Sequence, residues 1–406
     1  MPARIKRLDG NMLIAQSGGP TVVINQSLVG AIREARQHAC ICGIYGSLHG
    51  ILGILEANFI NLARESDATL EAVAVTPSSM LGSVRKKPST EDCRRMFQVM
   101  QRHEVRYFFY IGGNDSAETT LIIHEEARRQ RYDLRCFHIC KTIDNDLREN
   151  DHTPGYGSGA GFVARAFMGD NLDNRALPGV KVNVVMGRQA GFLTAASALA
   201  RVYPDDGPHL IYLPERPFTL ARFIRDIKRV VAEHGRCVVA VSEGIVDGRG
   251  KPIAAKYITE SDSHGNVQLS GSGALGDFLA EEVRQRMSIQ RVRADTFGYM
   301  QRSFVGVYSE VDAHEAHQVG IHAVRFAVRA YAHGSVAIKR KAGKPYRVYY
   351  KRVPLDRVAK ETRHMPDAFI HPDGNDVTQA FLEYAKPLVG ALPRIGRFTE
   401  YPLPPK

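Results

Sequence analysis

The chain has 406 residues, 44% hydrophobic and 24% charged, with a formal net charge of +11. That length exceeds what one growing core sustains, so two packed domains or one large α/β domain is expected, with the composition of a soluble globular protein. Six cysteines without a CxxC pair (Cys40, Cys42, Cys93, Cys136, Cys140 and Cys237) argue for reduced thiols in a cytoplasm over disulfides or zinc, and the basic balance suits nucleic acid, an anionic membrane or phosphorylated small molecules without choosing among them.

The basic start, MPARIKRLDG, leads into an apolar run too short for a signal peptide, and no later segment reaches membrane-spanning length. Met12–Ala15 reads as a strand, SGGP as a turn and Val23–Gln37 as a helix, followed by a strand at Cys40–Tyr45. A cap signal at Ser89–Thr90 opens a helix over Glu91–Arg102. The strand Val105–Ile111 then runs through GGNDS into a helix at Ser116–Gln130, and Arg135–Cys140 is a strand ending in KTIDND. A glycine-rich connector over Glu149–Gly161 marks a candidate boundary. Beyond it come strands at Val180–Met186, Leu210–Leu213 and Cys237–Ser242, then a loop-like stretch, Ser261–Gly276, leading into a helix at Asp277–Met287. The densest basic cluster, Lys339–Arg352, carries three tyrosines and reads as a solvated hairpin turning at Gly343–Lys344–Pro345. Its basic residues fall on both faces of the second strand, which argues against a nucleic-acid stripe. The last residues, about sixty, are proline-rich and basic and are expected to extend over the surface. Strand–helix alternation of this kind predicts parallel sheets covered by helices, with ligands beyond the carboxyl ends of the strands.

That rule singles out the loops directly after strands. In KTIDND, Asp144 and Asp146 flank Asn145, with Lys141 just before. Two such carboxylates can hold a metal and act as a base if the turn aims both at one cavity, and Lys141 supplies the countercharge a phosphate needs. The plainer reading is an Asx-type turn beside a surface lysine. MGRQAG offers Gly187 for close approach, Arg188 as a rigid fork and a helix start that favours anions, or simply a structural helix start. Glu243 in SEG suits sugar hydroxyls or a cap, and Gly298, Tyr299 and Arg302 in GYMQRS suit a second anion or an ordinary turn. His314, His317 and His322 read as a solvated helix face, and Cys136 and Cys140, which bracket an apolar strand, as buried thiols.

Together, the ordered loops QSGGP, LGSVR, GGNDS, KTIDND, MGR, SEG and GYMQR resemble the phosphofructokinase family over roughly the first 330 residues, most closely its pyrophosphate-dependent branch. The resemblance implies two Rossmann-like three-layer α/β/α domains with mostly parallel sheets and the active site in the cleft between them. Residues 1–154, with about 305–335, would bind the phosphoryl donor; 155–304 would bind the sugar phosphate; 336–406 would be a C-terminal extension. It implies Asp144 as the general base on the C1 hydroxyl of fructose 6-phosphate, with Lys141, Arg188 and Asp146 completing the chemistry. Gly18, Gly19, Arg85, Asn114, Asp115, Ser116 and Lys141 would hold the donor. Thr142, Asp144, Met186, Gly187, Arg188, Glu243, Tyr299 and Arg302 would hold the sugar phosphate, with Arg293 lent across a subunit interface. Mg2+ would be the cofactor, near Asn114, Asp115 and Asp146. A homodimer or homotetramer acting on fructose 6-phosphate and pyrophosphate, without nucleic acid or membrane, would follow.

Two positions carry the donor preference. ATP-using relatives have GGDGS where this chain has GGNDS, so Asp115 stands where glycine lets a nucleotide approach. At about 4 Å and an effective dielectric near 20, its repulsion of an α-phosphate is on the order of 4 kcal/mol. Lys141 replaces a glycine common in those relatives and its ammonium can bind pyrophosphate. Some positions depart from the family: Asn114 replaces the usual metal-binding aspartate, and Gly179 stands where an arginine is expected, leaving Lys181 as a candidate substitute. The alternatives are an ATP-dependent kinase, a pyrophosphate enzyme preferring another sugar phosphate such as sedoheptulose 7-phosphate, a non-catalytic regulatory subunit, and a nucleic-acid-binding protein.

Overall fold

The computed structural model describes residues 8–86, 88–256, 272–329, 331–359 and 362–399, so most of the expected Ser261–Gly276 loop lies outside the described residues. The first half comprises β1 (Gly10–Gln16), α1 (Ile24–Ala35), β2 (Ile41–Ser47), α2 (Ile51–Leu55), β3 (Phe59–Asn61), α3 (Asp67–Val75), α4 (Thr90–Arg102), β4 (Val105–Gly112), α5 (Asn114–Arg129) and β5 (Arg135–Cys140). Then come α6 (Tyr156–Ala176), β6 (Val180–Val185), α7 (Phe192–Ala196), β7 (Leu210–Tyr212), α8 (Leu220–His234), β8 (Cys237–Ser242), α9 (Ala274–Met287) and β9 (Val292–Thr296). The chain finishes with α10 (Met300–Ser303), α11 (Glu310–Val328), β10 (His333–Arg340), β11 (Val348–Val353) and α12 (Gln379–Ala385).

A seven-stranded sheet has the order β11-β10-β5-β4-β1-β2-β3, and a four-stranded sheet the order β7-β8-β6-β9. The smaller sheet is wholly parallel, and in the larger one only the edge strands β3 and β11 pair antiparallel. Side-chain alternation explains why both sheets are covered on both faces. In β1, Met12 and Ile14 join a core with Leu28 of α1 and Val319 of α11, while Leu13 and Ala15 join the opposite core with Phe97 of α4 and Ile123 of α5. In the smaller sheet, Val182 and Val239 face Phe223 of α8 and Leu279 of α9, whereas Val238 and Ala240 face Phe167 of α6 and Phe192 of α7. The fold is therefore the mostly parallel α/β architecture that the strand–helix alternation implies.

Strand order also places the site. Because β4 and β2 lie on opposite sides of β1, the loops after β1 and β4 flank a crevice at the point where the winding reverses. In the smaller sheet β6 lies between β8 and β9, so the loops following these strands are neighbours. One cavity is lined by loops from the carboxyl ends of both sheets.

Three expectations change. The Glu149–Gly161 connector is not a loop throughout: α6 begins at Tyr156, and its glycines let another chain segment cross closely. A Cβ on Gly157 would lie 2.5 Å from the Leu388 carbonyl oxygen and one on Gly161 3.2 Å from that of Val389. The crossing segment is the C-terminal stretch, which is not a surface extension. β10 pairs with β5 inside the larger sheet, Val358 joins its core, and Met365, Ile370, Phe381 and Leu388 are buried against α6 and α7. The β10–β11 hairpin has the antiparallel pairing the sequence suggested. Finally, His314 is exposed as expected, but His317 and His322 are half-buried, and His322 stacks on Tyr350 of β11 with ring centroids 4.6 Å apart.

Candidate active site

The glycine-rich turn after β1 is shaped for close approach. Gly18 has φ +72°, donates its N–H to the Val84 carbonyl at 3.2 Å and accepts from the Ser83 hydroxyl at 2.6 Å. The Ser17 and Ser116 hydroxyls are 2.5 Å apart and join this turn to α5. A Cβ on Gly112 would lie 1.9 Å from Ser116 Oγ, so the end of β4 admits no side chain. The helix after β4 starts two residues earlier than expected, which puts Asn114 and Asp115 in the first turn of α5, with Gly113 as its cap. Asp115 is exposed there and lines the cleft. The positive end of the helix dipole offsets part of the cost of a carboxylate at that place.

The KTIDND loop answers the question its spacing raised, because Asp144 and Asp146 both line the same cavity. Between them Asn145 has φ +60°, a left-handed conformation that asparagine tolerates better than most residues. The Asp144 N–H donates to Thr142 Oγ1 at 3.1 Å, and Asp144 Oδ1 is buried with no hydrogen-bond partner among the described residues. Lys141 is buried and its ammonium donates to the Gly19 carbonyl at 2.6 Å, tying β5 to the turn after β1.

From the smaller sheet come Met186, Arg188 and Glu243. Gly187 has φ +141°, and its N–H donates to Glu243 Oε1 at 3.4 Å. Arg302 lies across the cleft, its Nη1 2.6 Å from where a side chain on Gly19 would begin, and its guanidinium stands over the Tyr299 ring at 4.4 Å.

The cavity encloses about 590 Å³ and brings together Gly18, Gly19, Arg85, Asn114, Asp115, Ser116, Lys141, Thr142, Asp144, Asp146, Met186, Arg188, Glu243 and Arg302. Gly187 and Tyr299 support the lining instead of forming it, through Glu243 and Arg302 respectively. Arg293 does not line this cavity: it is exposed on the edge strand β9 and donates to the Val292 carbonyl at 3.0 Å. Lys181 is committed elsewhere, to Asp170 at 2.6 Å and Asp173 at 2.5 Å. Position 179 has no room for an arginine, since even a Cβ there would lie 2.4 Å from the Arg291 carbonyl oxygen.

Sequence reasoning missed Lys86, Glu118, Gln189 and Thr362, all of which line the cleft. Glu118 lies one helical turn beyond Asp115, so helix spacing could have found it. Thr362 comes from the C-terminal segment, and no local motif announces it.

The site sets cations beside buried carboxylates, and each shifts the other. Burial raises the pKa of Asp144, opposed by the nearby cations Lys141, Arg188, Arg302 and Arg85. Burial, then the neighbouring Asp144, pushes Asp146 up to about 7. Burial, then Arg302, pulls Lys141 down to about 7. Cations crowded in a partly enclosed cleft each lose stability until an anion arrives.

A magnesium ion fits the donor set. Asn114 Oδ1 is buried and has no hydrogen-bond partner among the described residues, while Asn114 Nδ2 donates to Asp146 Oδ2 at 3.1 Å. An amide oxygen beside one carboxylate matches an ion that keeps waters and takes its other ligands from phosphate. Among the described residues no group of three or more His, Cys, Asp or Glu is placed to hold a metal without such help.

Two mostly parallel sheets whose carboxyl ends share a cleft lined by arginines and lysines, with paired carboxylates at its centre, define an α/β phosphotransferase. Residues 11–327 match the family described as Phosphofructokinase, and the chain belongs to the phosphofructokinase family. It is 55% identical over 383 residues to a Pyrophosphate--fructose 6-phosphate 1-phosphotransferase of Rhodospirillum rubrum, covering 94% of each chain. A protein of the same description from Xanthomonas campestris is 39% identical over 390 residues, covering 94% of this chain and 92% of that one. The fold is similar to the crystal structure of a pyrophosphate-dependent phosphofructokinase from Nitrosospira multiformis, with a TM-score of 0.85 and 32% identity over 97% of this chain and 95% of the other.

Proposed function

We propose that this protein moves a phosphoryl group reversibly from pyrophosphate to the C1 hydroxyl of fructose 6-phosphate, giving fructose 1,6-bisphosphate and phosphate. The observation that carries the reading is the placement of Asp115 and Lys141 on the walls of the cleft that also holds Asp144 and Asp146. The likeness to relatives described as pyrophosphate enzymes supports it. Pyrophosphate lies along Gly18–Gly19, Arg85, Asn114–Ser116 and Lys141, and fructose 6-phosphate along Thr142, Met186, Gly187, Arg188 and Glu243. Arg302, braced on Tyr299, reaches the sugar's phosphate. Arg293, exposed at the sheet edge, serves the cleft of a second copy in a homodimer or homotetramer.

Asp144 accepts the proton of the C1 hydroxyl while that oxygen attacks the near phosphorus; the bridging P–O bond breaks and phosphate leaves in line. Lys141 and Arg188 neutralise charge that develops on the transferring group, in a cleft where fixed charges act more strongly than in water. Asn114 and Asp146, with Asp115 nearby, would hold magnesium, which would supply further charge neutralisation when bound. Asp115 excludes the α-phosphate of a nucleotide. The reaction belongs to glycolysis and gluconeogenesis in the cytoplasm; no helix among the described residues is long and apolar enough to cross a membrane.

The test is a purified-protein assay with fructose 6-phosphate and magnesium, comparing pyrophosphate with ATP. Pyrophosphate should support turnover at least about a hundredfold faster, the roughly thousandfold scale of the charge repulsion at Asp115 discounted for the exposure of that side chain. ATP matching or exceeding it would overturn the reading.

A further inference from the structure

The carboxylates at the centre of the cleft sit on a turn that is braced from outside itself. Asn145 has φ +60°, which asparagine adopts more readily than other non-glycine residues, and contacts from outside the turn fix it there. Those contacts come from the C-terminal segment, beyond the stretch 11–327 that matches the family. Arg363 donates to the Asn145 carbonyl twice, from Nη2 at 2.6 Å and Nε at 3.2 Å. The same guanidinium donates from Nη1 to the carbonyls of Asn150 at 2.5 Å and Asp151 at 2.6 Å. The Arg363 N–H donates to the Asp146 carbonyl at 2.7 Å, and Thr362 and Leu147 form an antiparallel bridge beside it. On the other side, Asn145 Nδ2 donates to the Tyr384 hydroxyl at 2.7 Å, which itself donates to the Asp151 carbonyl at 2.8 Å. The arginine is fixed in turn over the Phe192 ring, 4.8 Å from its centroid.

We propose that Arg363 and Tyr384 are positioning residues for the proposed reaction: as a strut from the C-terminal segment they hold Asn145 left-handed and keep Asp144 and Asp146 aimed into the cleft. Neither side chain lines the cavity, so their effect passes through the turn. The arrangement couples the C-terminal segment, which packs on α6 and α7, to the geometry of the base. A displacement of the turn by about 1 Å is enough to cost on the order of a hundredfold in rate without changing what the substrates touch.

The inference rests on the proposed reaction for its kinetic arm only. Tyr384→Phe keeps the buried ring and removes the hydroxyl, and Arg363→Lys keeps the charge and removes the fork. For Tyr384→Phe, kcat should fall at least about tenfold at a temperature where the variant is fully folded, with KM for pyrophosphate and fructose 6-phosphate within about threefold of wild type; the lost buried hydrogen bonds should lower the melting temperature only modestly. Hydrogen exchange of amides in residues 142–147 should accelerate in both variants while the core strands β4 and β5 keep their protection. Asn145→Gly, which adopts positive φ freely, should retain more turnover than Asn145→Ala. Unchanged kcat in Tyr384→Phe, a loss that tracks the unfolded fraction, or unaltered exchange at 142–147 would overturn the strut. Failure of the wild-type chain to turn over pyrophosphate would instead overturn the reaction, and the exchange measurement would still decide the strut.

Discussion

In the proposed reaction Asp144 has to be a strong enough base to take a hydroxyl proton and yet be ionised when the substrate arrives. Burial raises its pKa, which strengthens it as a base, and the surrounding Lys141 and arginines oppose that rise. Asp144→Ala removes the base while leaving the phosphate contacts in place, so kcat should fall by about 10²–10⁴, with fructose 6-phosphate binding nearly intact by calorimetry. Near-normal turnover would exclude Asp144 from the role. Lys141 gives a second handle. Its ordinary value is 10.5 and burial pulls it down to about 7, so its charge is lost as pH rises through that region. If the charged form captures pyrophosphate, kcat/KM for pyrophosphate should decline on the alkaline side of about 7 in the free enzyme. Lys141→Arg stays charged throughout, and the same pH series should show that alkaline limb displaced upward.

At the scale of elements, the seam between α11 and α6 shows how a buried carboxylate organises a helix start. Asp312 accepts the N–H groups of Gly155 and Ser158, each at 2.9 Å, and the Ser158 hydroxyl at 2.6 Å. Asp312→Ala strands those donors in a buried site, and urea denaturation should show a loss of about 3 kcal/mol. Burial also holds the Asp312 carboxyl up at about 6, above its ordinary 3.8. Its titration therefore favours the folded state fully below pH 3.8, and that contribution is lost as pH rises through about 6. The elements differ in how legible they were. β5 and β8 have the limits expected for them because short runs such as RCFHIC and CVVAVS are buried throughout and end at polar turns. α6 was misread because Gly157 and Gly161, residues that usually interrupt helices, are there to admit the backbone of Leu388 and Val389. No local pattern records that a distant segment must pass.

For the whole molecule, the loops KTIDND, MGR and SEG could be singled out because each directly follows a strand and carries its chemistry locally, and their order, through the family resemblance, implied one site. The brace from Arg363 and Tyr384, and Thr362 in the wall, depend on how the C-terminal segment returns across α6, a contact between residues about two hundred positions apart. The same assembly gathers Arg85, Lys141, Arg188 and Arg302 in one cavity with Asp144 and Asp146, so cationic donors stand ready for a bound anion. Pyrophosphate with magnesium, at a hundred times its dissociation constant, should therefore stabilise the fold by about 2.7 kcal/mol. A thermal-shift titration would show this as a rise in melting temperature, and no rise would mean the cleft does not take that anion. The proposed donor, pyrophosphate, depends on Asp115 and Lys141. The decisive measurement is the ratio of kcat/KM for ATP to that for pyrophosphate, in the wild-type chain and in the double variant Asp115→Gly, Lys141→Gly. The ratio should start well below one and rise by at least about a hundredfold when both side chains are removed. A ratio that stays put, or a wild-type chain that already prefers ATP, would contradict that proposal.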